Sequence, residues 1–354
     1  MSRFMNPRFA ALRPYVPGEQ PREMRYVKLN TNESPYPPAP AVLAAVSAAE
    51  VRRLNLYPDP DCRLLREKLA ARYGVGPENV LVANGSDEVL NFAFMAFCDA
   101  ESGVACPDIS YGFYPVLAAL YGVPLREVPL AEDFSLRPED YFGLGCPVVF
   151  ANPNAPTGRA IRPAQVERIL QNDPDHVVLV DEAYVYFGAE SCVPLVSKYD
   201  NLLVSMTFSK SRSMAGGRLG FAIGSAGLIG DLEKIRCSTN PYNINRLTMA
   251  AALATLDSDD YYMENCRRIA QTRDRTAEQL AKRGFSTLPS LTNFLFTACP
   301  EMSGEQLYQK LRARGVLVRY WNTPRLKDYI RVTIGSPEEM ETFLAAVDAS
   351  REER

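Results

Sequence analysis

Six short apolar runs, spaced so that helix-length segments fit between most of them, restrict the fold of this chain more than any other feature. They are NVLVAN (79–84), GVACP (103–107), PVVFAN (147–152), HVVLVD (176–181), LLVSM (202–206) and RLGFAIG (218–224). Each is continuous, with no polar alternation, as in a strand covered on both faces. Candidate helices fall at 87–98, 112–121 and 163–171. This rhythm predicts an α/β fold with a parallel or mostly parallel sheet and helices on both faces.

Upstream, a helix is predicted over 63–73. Leu65, Leu69 and Tyr73 share one face, Asp61 is placed to cap the start and Gly74 to end it. Residues 1–40 are rich in proline, as in RPYVPGEQPRE and NESPYPPAP, and read as an extended arm, not a packed element. After about residue 245 the pattern changes to long helices (244–256, 260–283), then short strands (294–298, 315–320, 329–335) with helices at 304–314 and 337–348. The expected division is an arm (1–40), a large domain (41–245) and a smaller α+β domain (246–354). A length of 354 residues suits two domains at about 100–200 residues each.

Net charge is −3 and no long basic run occurs, so neither nucleic acid nor an anionic membrane is the expected partner. The N-terminus lacks the apolar core of a signal peptide, and no segment has the roughly 18 apolar residues needed to span a bilayer. A cytoplasmic location is expected. Eight cysteines occur without a CxxC pair and read as free, mostly buried thiols. One histidine, His176, argues against a His-based triad or a His-rich metal site.

In an open parallel sheet, ligands gather where strands end. NVLVAN runs into Gly85-Ser86-Asp87, a glycine turn entering a helix. Such a turn suits a phosphate, although taken alone it reads better as a plain cap. HVVLVD ends in Asp181, where a buried carboxylate needs a partner, structural or functional. PVVFAN enters ANPNAPTG, a turn-rich loop. LLVSM leads to Lys210 in SMTFSKSRSMAGGR. A lysine beside an apolar wall and other cations becomes a nucleophilic amine, and Thr207, Ser209 and Arg218 add donors suited to phosphate. Each feature has an ordinary structural explanation. Together, in this order, they match what pyridoxal phosphate needs: a lysine for a Schiff base, an aspartate for the ring nitrogen and a phosphate cradle.

The motifs LNTNESPYPP, NLYPDPD, VANGSDE, SYGFYP, ANPNAPTG, VDEAYVYF, SKSRSMAGGRLGF, TNFLF and YIRVTIG run from 29 to 335. Through them the chain resembles the fold-type I pyridoxal-phosphate aminotransferases, and most of all the histidinol-phosphate aminotransferase family. The resemblance implies that Lys210 holds the cofactor and moves the proton between the substrate Cα and the cofactor C4′. It implies that Asp181 pairs with the ring nitrogen, Tyr184 bonds O3′ and Tyr111 stacks on the ring. Ser86, Asp87, Thr207, Ser209 and Arg218 would bind the cofactor phosphate. Tyr57 would reach that phosphate from a neighbouring subunit, so a homodimer with shared sites is implied. Arg331 would grip the substrate anion, with Arg319 as a second cation, and Tyr15 and Asn32 of the arm would close over it. No metal is implied.

One position departs from the pattern. The family loop has asparagine directly before Pro-Thr-Gly, in contact with O3′. Here Ala155 stands there, so either Asn154, the nearest asparagine and the preferred reading, takes the contact over or O3′ relies on Tyr184 alone. The activity implied is ping-pong amino transfer between L-histidinol phosphate and 2-oxoglutarate in histidine biosynthesis. Alternatives are transfer from aromatic or other amino acids, and a threonine-phosphate decarboxylase of the same fold. A cofactor-binding regulator is disfavoured, since the chain begins almost at once with the arm and Lys210 is present.

Overall fold

The apolar runs are continuous because each strand of one central sheet serves two cores. The computed structural model describes residues 4–352. It opens with β1 (Val27–Lys28), α1 (Pro40–Ala45), α2 (Ala48–Val51) and α3 (Arg63–Tyr73). Then come β2 (Val80–Ala83), α4 (Ser86–Phe97), β3 (Val104–Pro107), α5 (Tyr114–Tyr121), β4 (Leu125–Val128) and β5 (Val148–Ala151). α6 (Pro163–Asn172), β6 (Val178–Asp181), β7 (Leu202–Thr207), β8 (Gly220–Gly224) and α7 (Ala226–Thr239) complete this part.

Among the described residues these strands form a seven-stranded sheet in the order β2-β8-β7-β6-β5-β3-β4. β8 is antiparallel to β2 and β7, and the other pairings are parallel. Val80, Val82, Val178 and Val180 face a core shared with α3, α6 and the later helix α8 (Arg246–Asp257), whereas Leu81, Ala83 and Leu179 face a second core under α4, α5 and α7. Each such side chain, fully buried, contributes about 1.5–3 kcal/mol. A polar side chain on either face would forfeit that gain, which explains the absence of alternation.

The second part begins with α8 (Arg246–Asp257) and α9 (Asp259–Lys282), followed by β9 (Ser286–Thr287) and β10 (Phe294–Ala298). α10 (Gly304–Ala313), β11 (Val316–Leu317), β12 (Arg319–Tyr320), β13 (Tyr329–Thr333) and α11 (Pro337–Glu352) end it. An antiparallel sheet runs β12-β13-β10-β9, with its own core around Phe294, Leu295 and Phe343.

Several details differ from expectation. α3 is not capped by Asp61: the carboxylate of Asp59 accepts from the Arg63 N–H at 2.9 Å and from Asp61 N–H at 3.1 Å. Cys62, with φ +47°, bends the chain so that Asp59 lies over the helix start. Gly74 does end the helix, at φ +68°. The run 315–320 splits: β11 pairs parallel with β1, while β12 joins β13. Residues 27–32 of the proline-rich segment are accordingly packed, and Asn30 and Asn32 are buried.

Candidate active site

The strand ends converge on one cavity of about 850 Å³, lined by residues from five loops of the large sheet and by β12, β13 and the arm. At the end of β2, Gly85 adopts φ +83° and α4 starts at Ser86. A Cβ on Gly85 would come within 2.7 Å of Arg218 Nη2, and one on Gly220 within 2.3 Å of the Ser86 nitrogen. Both glycines therefore allow backbone and guanidinium to meet at the positive end of α4. Arg218, at φ +50°, donates Nη2 to Asp87 Oδ2 at 3.2 Å. Tyr111 OH donates to Asp87 Oδ1 at 2.9 Å. Thr207 and Ser209, both buried, are hydrogen-bonded to each other at 3.0 Å beside them. N–H groups at a helix start, hydroxyls and a guanidinium are together a set of donors suited to a phosphate.

Asp181 closes β6 and is 3% exposed. Among the described residues no basic side chain is hydrogen-bonded to it; its donors are Ala183 N–H and Tyr114 OH, each at 3.2 Å. Burial, opposed by those bonds, pushes its carboxyl up to about 7. An acid buried this way gains from a cationic ring nitrogen. Lys210, half-buried, donates Nζ to the Thr31 carbonyl at 3.1 Å. Burial first, and then the Arg331 charge, pull its amine down to about 8. The donor set thus fits pyridoxal phosphate: a cradle for its phosphate, a carboxylate for its nitrogen and an available amine for its aldehyde.

Tyr184 lies near this floor, its hydroxyl accepting from Asn32 Nδ2 at 2.9 Å, and burial raises its phenol above the ordinary value. Asn32 holds φ +57°, a left-handed conformation that asparagine tolerates. Its Oδ1 accepts from Thr333 Oγ1 at 3.0 Å, tying the arm to β13. Tyr15 lies edge-on to Tyr111 at 5.7 Å.

The register of β12 on β13 sets Arg319 directly opposite Arg331. Like charges facing each other across strands are destabilising. Trp321 packs against both, 5.5 Å from Arg319 and 5.2 Å from Arg331. Arg331 Nε is buried without a hydrogen-bond partner among the described residues, and burial, aided by Arg319, lowers the guanidinium below its ordinary range. An anion bound here would relieve the repulsion and satisfy that nitrogen.

Two expected residues lie elsewhere. Asn154 does not line the cavity. Its Nδ2 donates to the Ile109 carbonyl at 2.9 Å and Thr157 Oγ1 at 3.1 Å, and its Oδ1 accepts from Ser110 at 2.8 Å. The expectation that it replaces the ring contact is corrected: the amide is used up in holding the loop, and Ala155 is the residue that faces the cavity. Tyr57 is 78% exposed and stacked on Tyr242 at 4.4 Å, away from its own chain's cavity.

The sequence reading missed Tyr114, Trp321, Asp108 and Arg325. Arg325 donates to Asp108 Oδ2 at 3.1 Å and to the Ala131 carbonyl at 2.7 Å, joining the segment after β12 to the end of β3. Trp321 is the chain's one tryptophan, the single cue that segment offered. Among the described residues no cluster of His, Cys, Asp or Glu is placed to hold a metal.

Comparison with known proteins agrees with this geometry. Residues 25–347 match the family described as aminotransferase class I and II. A histidinol-phosphate aminotransferase of Marinomonas sp. (strain MWYL1) is 48% identical over 98% of this chain and 99% of its own length. Histidinol-phosphate aminotransferase 1 of Bradyrhizobium diazoefficiens is 49% identical over 96% of this chain and 97% of its own. The crystal structure of histidinol-phosphate aminotransferase from Sinorhizobium meliloti in complex with pyridoxal-5′-phosphate superposes with a TM-score of 0.89. It is 27% identical and covers 99% of each chain. The chain thus belongs to the aminotransferase class I and II family, as a fold-type I aminotransferase dependent on pyridoxal phosphate.

Proposed function

We propose that this chain transfers an amino group between L-histidinol phosphate and 2-oxoglutarate, in histidine biosynthesis. The observation that carries the reading is the facing pair Arg319 and Arg331, with Arg331 Nε buried and unpartnered among the described residues. A strong anion on the substrate matches it, and a guanidinium fork accepts a phosphate or a carboxylate alike. Relatives 46–49% identical that bear the name histidinol-phosphate aminotransferase support the same substrate.

Bound pyridoxal phosphate supplies an electron sink for the substrate Cα. The chain's residues do the rest. Lys210 would hold the cofactor and, once freed, would carry the proton away from the substrate Cα. Its amine, lowered to about 8, is basic enough to accept that proton and loses it readily. Asp181 holds the proton on the ring nitrogen. Tyr184 donates to O3′, and Tyr111 packs on the ring. Ser86, Asp87, Thr207, Ser209 and Arg218 hold the cofactor phosphate. Arg331 and Arg319 hold the substrate's distal anion, and Tyr15 and Asn32 border it. The two substrates use one cavity in turn, which is a ping-pong order.

Tyr57 belongs, in this reading, to the site of a second copy, making the unit a homodimer; its exposure and its position off the cavity support this. The large domain would span 41–245 and the small one 246–354, consistent with the seven-stranded and four-stranded sheets. A cytoplasmic location accords with the finding that no described helix is long and apolar enough to cross a membrane.

The test is to mix cofactor-loaded protein with L-histidinol phosphate and no keto acid. The visible absorbance is expected to move to the ultraviolet as the amine stays on the cofactor, with one equivalent of keto product released. An unchanged spectrum would assign the cavity to another amino donor.

A further inference from the structure

Tyr114 is fully buried at the first position of α5 and does not line the cavity. Its hydroxyl donates to Asp181 Oδ2 at 3.2 Å. Its ring stands edge-on to Tyr111, with centroids 5.7 Å apart and planes at 88°. One side chain thus touches both groups assigned to the cofactor ring, the carboxylate for its nitrogen and the aromatic for its face. The other donor to Asp181 is a backbone N–H of its own loop, so Tyr114 is the side-chain donor that a substitution can remove.

We propose that Tyr114 is a positioning residue that keeps the Asp181 carboxylate ionised and oriented toward the cofactor's ring nitrogen, while its ring supports Tyr111. The inference rests on the assignment of Asp181 to that nitrogen. A hydrogen bond to the charged form of an acid favours that form, and burial opposes it. At Asp181 burial is the larger effect, and the hydroxyl offsets part of it. The other charges acting on the carboxylate are Asp87, which raises its proton affinity, and Lys210, which lowers it. Without the hydroxyl, Asp181 binds a proton more strongly, so the proton shared with the ring nitrogen moves onto the carboxyl oxygen. No bond other than that N–H···O pair changes. The ring nitrogen then carries less charge and withdraws fewer electrons from the substrate Cα.

The experiment uses holoenzyme loaded with cofactor labelled with ¹⁵N at the ring nitrogen, with the nitrogen shift followed from pH 6 to 9. In the parent protein the nitrogen is expected to remain protonated throughout. In Tyr114→Phe its shift is expected to move toward that of an unprotonated ring nitrogen at every pH in that range, because the proton passes to Asp181 without leaving the pair, with kcat reduced about tenfold or more, the size of a lost hydrogen bond to a charged group. KM should change less than twofold, since Tyr114 does not reach the substrate. The hydrogen isotope effect on Cα–H removal should rise. Tyr114→His, which retains a donor, should restore the parental nitrogen signal, and it serves as the decisive variant if the phenylalanine protein loads cofactor poorly. In an Asp181→Asn background, Tyr114→Phe should have no further effect on kcat. A parental nitrogen shift in Tyr114→Phe, or additive losses in the double variant, would overturn the proposal. A parental shift in Asp181→Asn itself would instead overturn the assignment of Asp181 on which it rests.

Discussion

Replacing Asp181 with asparagine should leave only a small, still measurable residual activity and yet, in the cofactor-free protein at pH 8, make the fold more stable. The carboxyl is raised from 3.8 to about 7, chiefly by burial. An acid whose proton affinity is higher in the folded chain stabilises the fold only while it is protonated. Below pH 4 both states are largely protonated and burial carries little penalty. Between about pH 4 and 7 the unfolded chain ionises while the folded one does not, so stability falls; above 7 the loss is complete. A rise from 3.8 to about 7 corresponds to about 4 kcal/mol. Asparagine is neutral at every pH and keeps an oxygen for Tyr114 and Ala183. Its new N–H groups lack an assured acceptor, which costs about 1–3 kcal/mol. The net gain at pH 8 is then about 1–3 kcal/mol, with none at pH 4. For a chain of 354 residues that is a rise of about 1–4 °C in Tm. Calorimetry of both cofactor-free proteins at pH 4 and 8 measures it. Glu182, also raised to about 7 by burial, is present in both proteins and largely cancels in the difference. Added pyridoxal phosphate should reverse the order, because only the aspartate can pair with a charged nitrogen. The reasoning fails if the asparagine protein gains no stability between pH 4 and pH 8 relative to the parent.

The remaining expectations concern the cations. Capture of pyridoxal phosphate by the cofactor-free protein needs the neutral Lys210 amine, so its rate should rise with pH to a midpoint near 8 in stopped-flow absorbance; a midpoint above 10 would contradict the burial argument. Arg218→Ala should weaken cofactor binding about 10- to 100-fold, as for loss of a charged hydrogen bond, measured by equilibrium dialysis; unchanged affinity would remove Arg218 from the cradle. Arg331→Gln should raise KM for both the amino donor and the keto acceptor about 10- to 100-fold. A rise for one substrate alone would mean that the two anions use different partners.

What the sequence made legible was whatever depends on neighbours along the chain. Val80 to Ala83 are apolar throughout because both faces are covered, and that can be read without knowing what covers them. Lys210 stood out among small and hydroxyl residues, and Gly85 beside a helix start. β4 escaped notice because LREV is an edge strand with two exposed charged positions, leaving no apolar run to see. The opposition of Arg319 and Arg331 depends on the register between β12 and β13, which no local pattern encodes. Asn154 misled for a related reason. An asparagine in a turn-rich loop can face a ligand or hold the loop, and only the positions of Ile109 and Ser110 decide between them.

The proline-rich arm shows how a segment without regular structure can still determine the chemistry of a site. Its composition reads as an extended arm, and the packing of residues 27–32 departs from that; nothing in the composition announces a source of acceptors. Each proline removes an N–H and leaves a carbonyl, so such a stretch carries more acceptors than donors. Those carbonyls go to the cavity's cations. Arg319 donates to Val16 and Pro17, at 2.8 and 3.0 Å, Arg331 to Asn30 at 3.1 Å, and Lys210 to Thr31 at 3.1 Å. A carbonyl satisfies a buried donor without cancelling its charge, whereas a carboxylate does both. Arg325, by contrast, is paired with Asp108, and Arg218 with Asp87. Carbonyl pairing leaves Arg319 and Arg331 with their full charge for a substrate anion. It also leaves the burial of Lys210 largely uncompensated, so its amine stays near 8 instead of returning to the ordinary lysine range. The same arm therefore fixes the positions of these groups and preserves their reactivity, and the property that makes it irregular is the one that makes it useful.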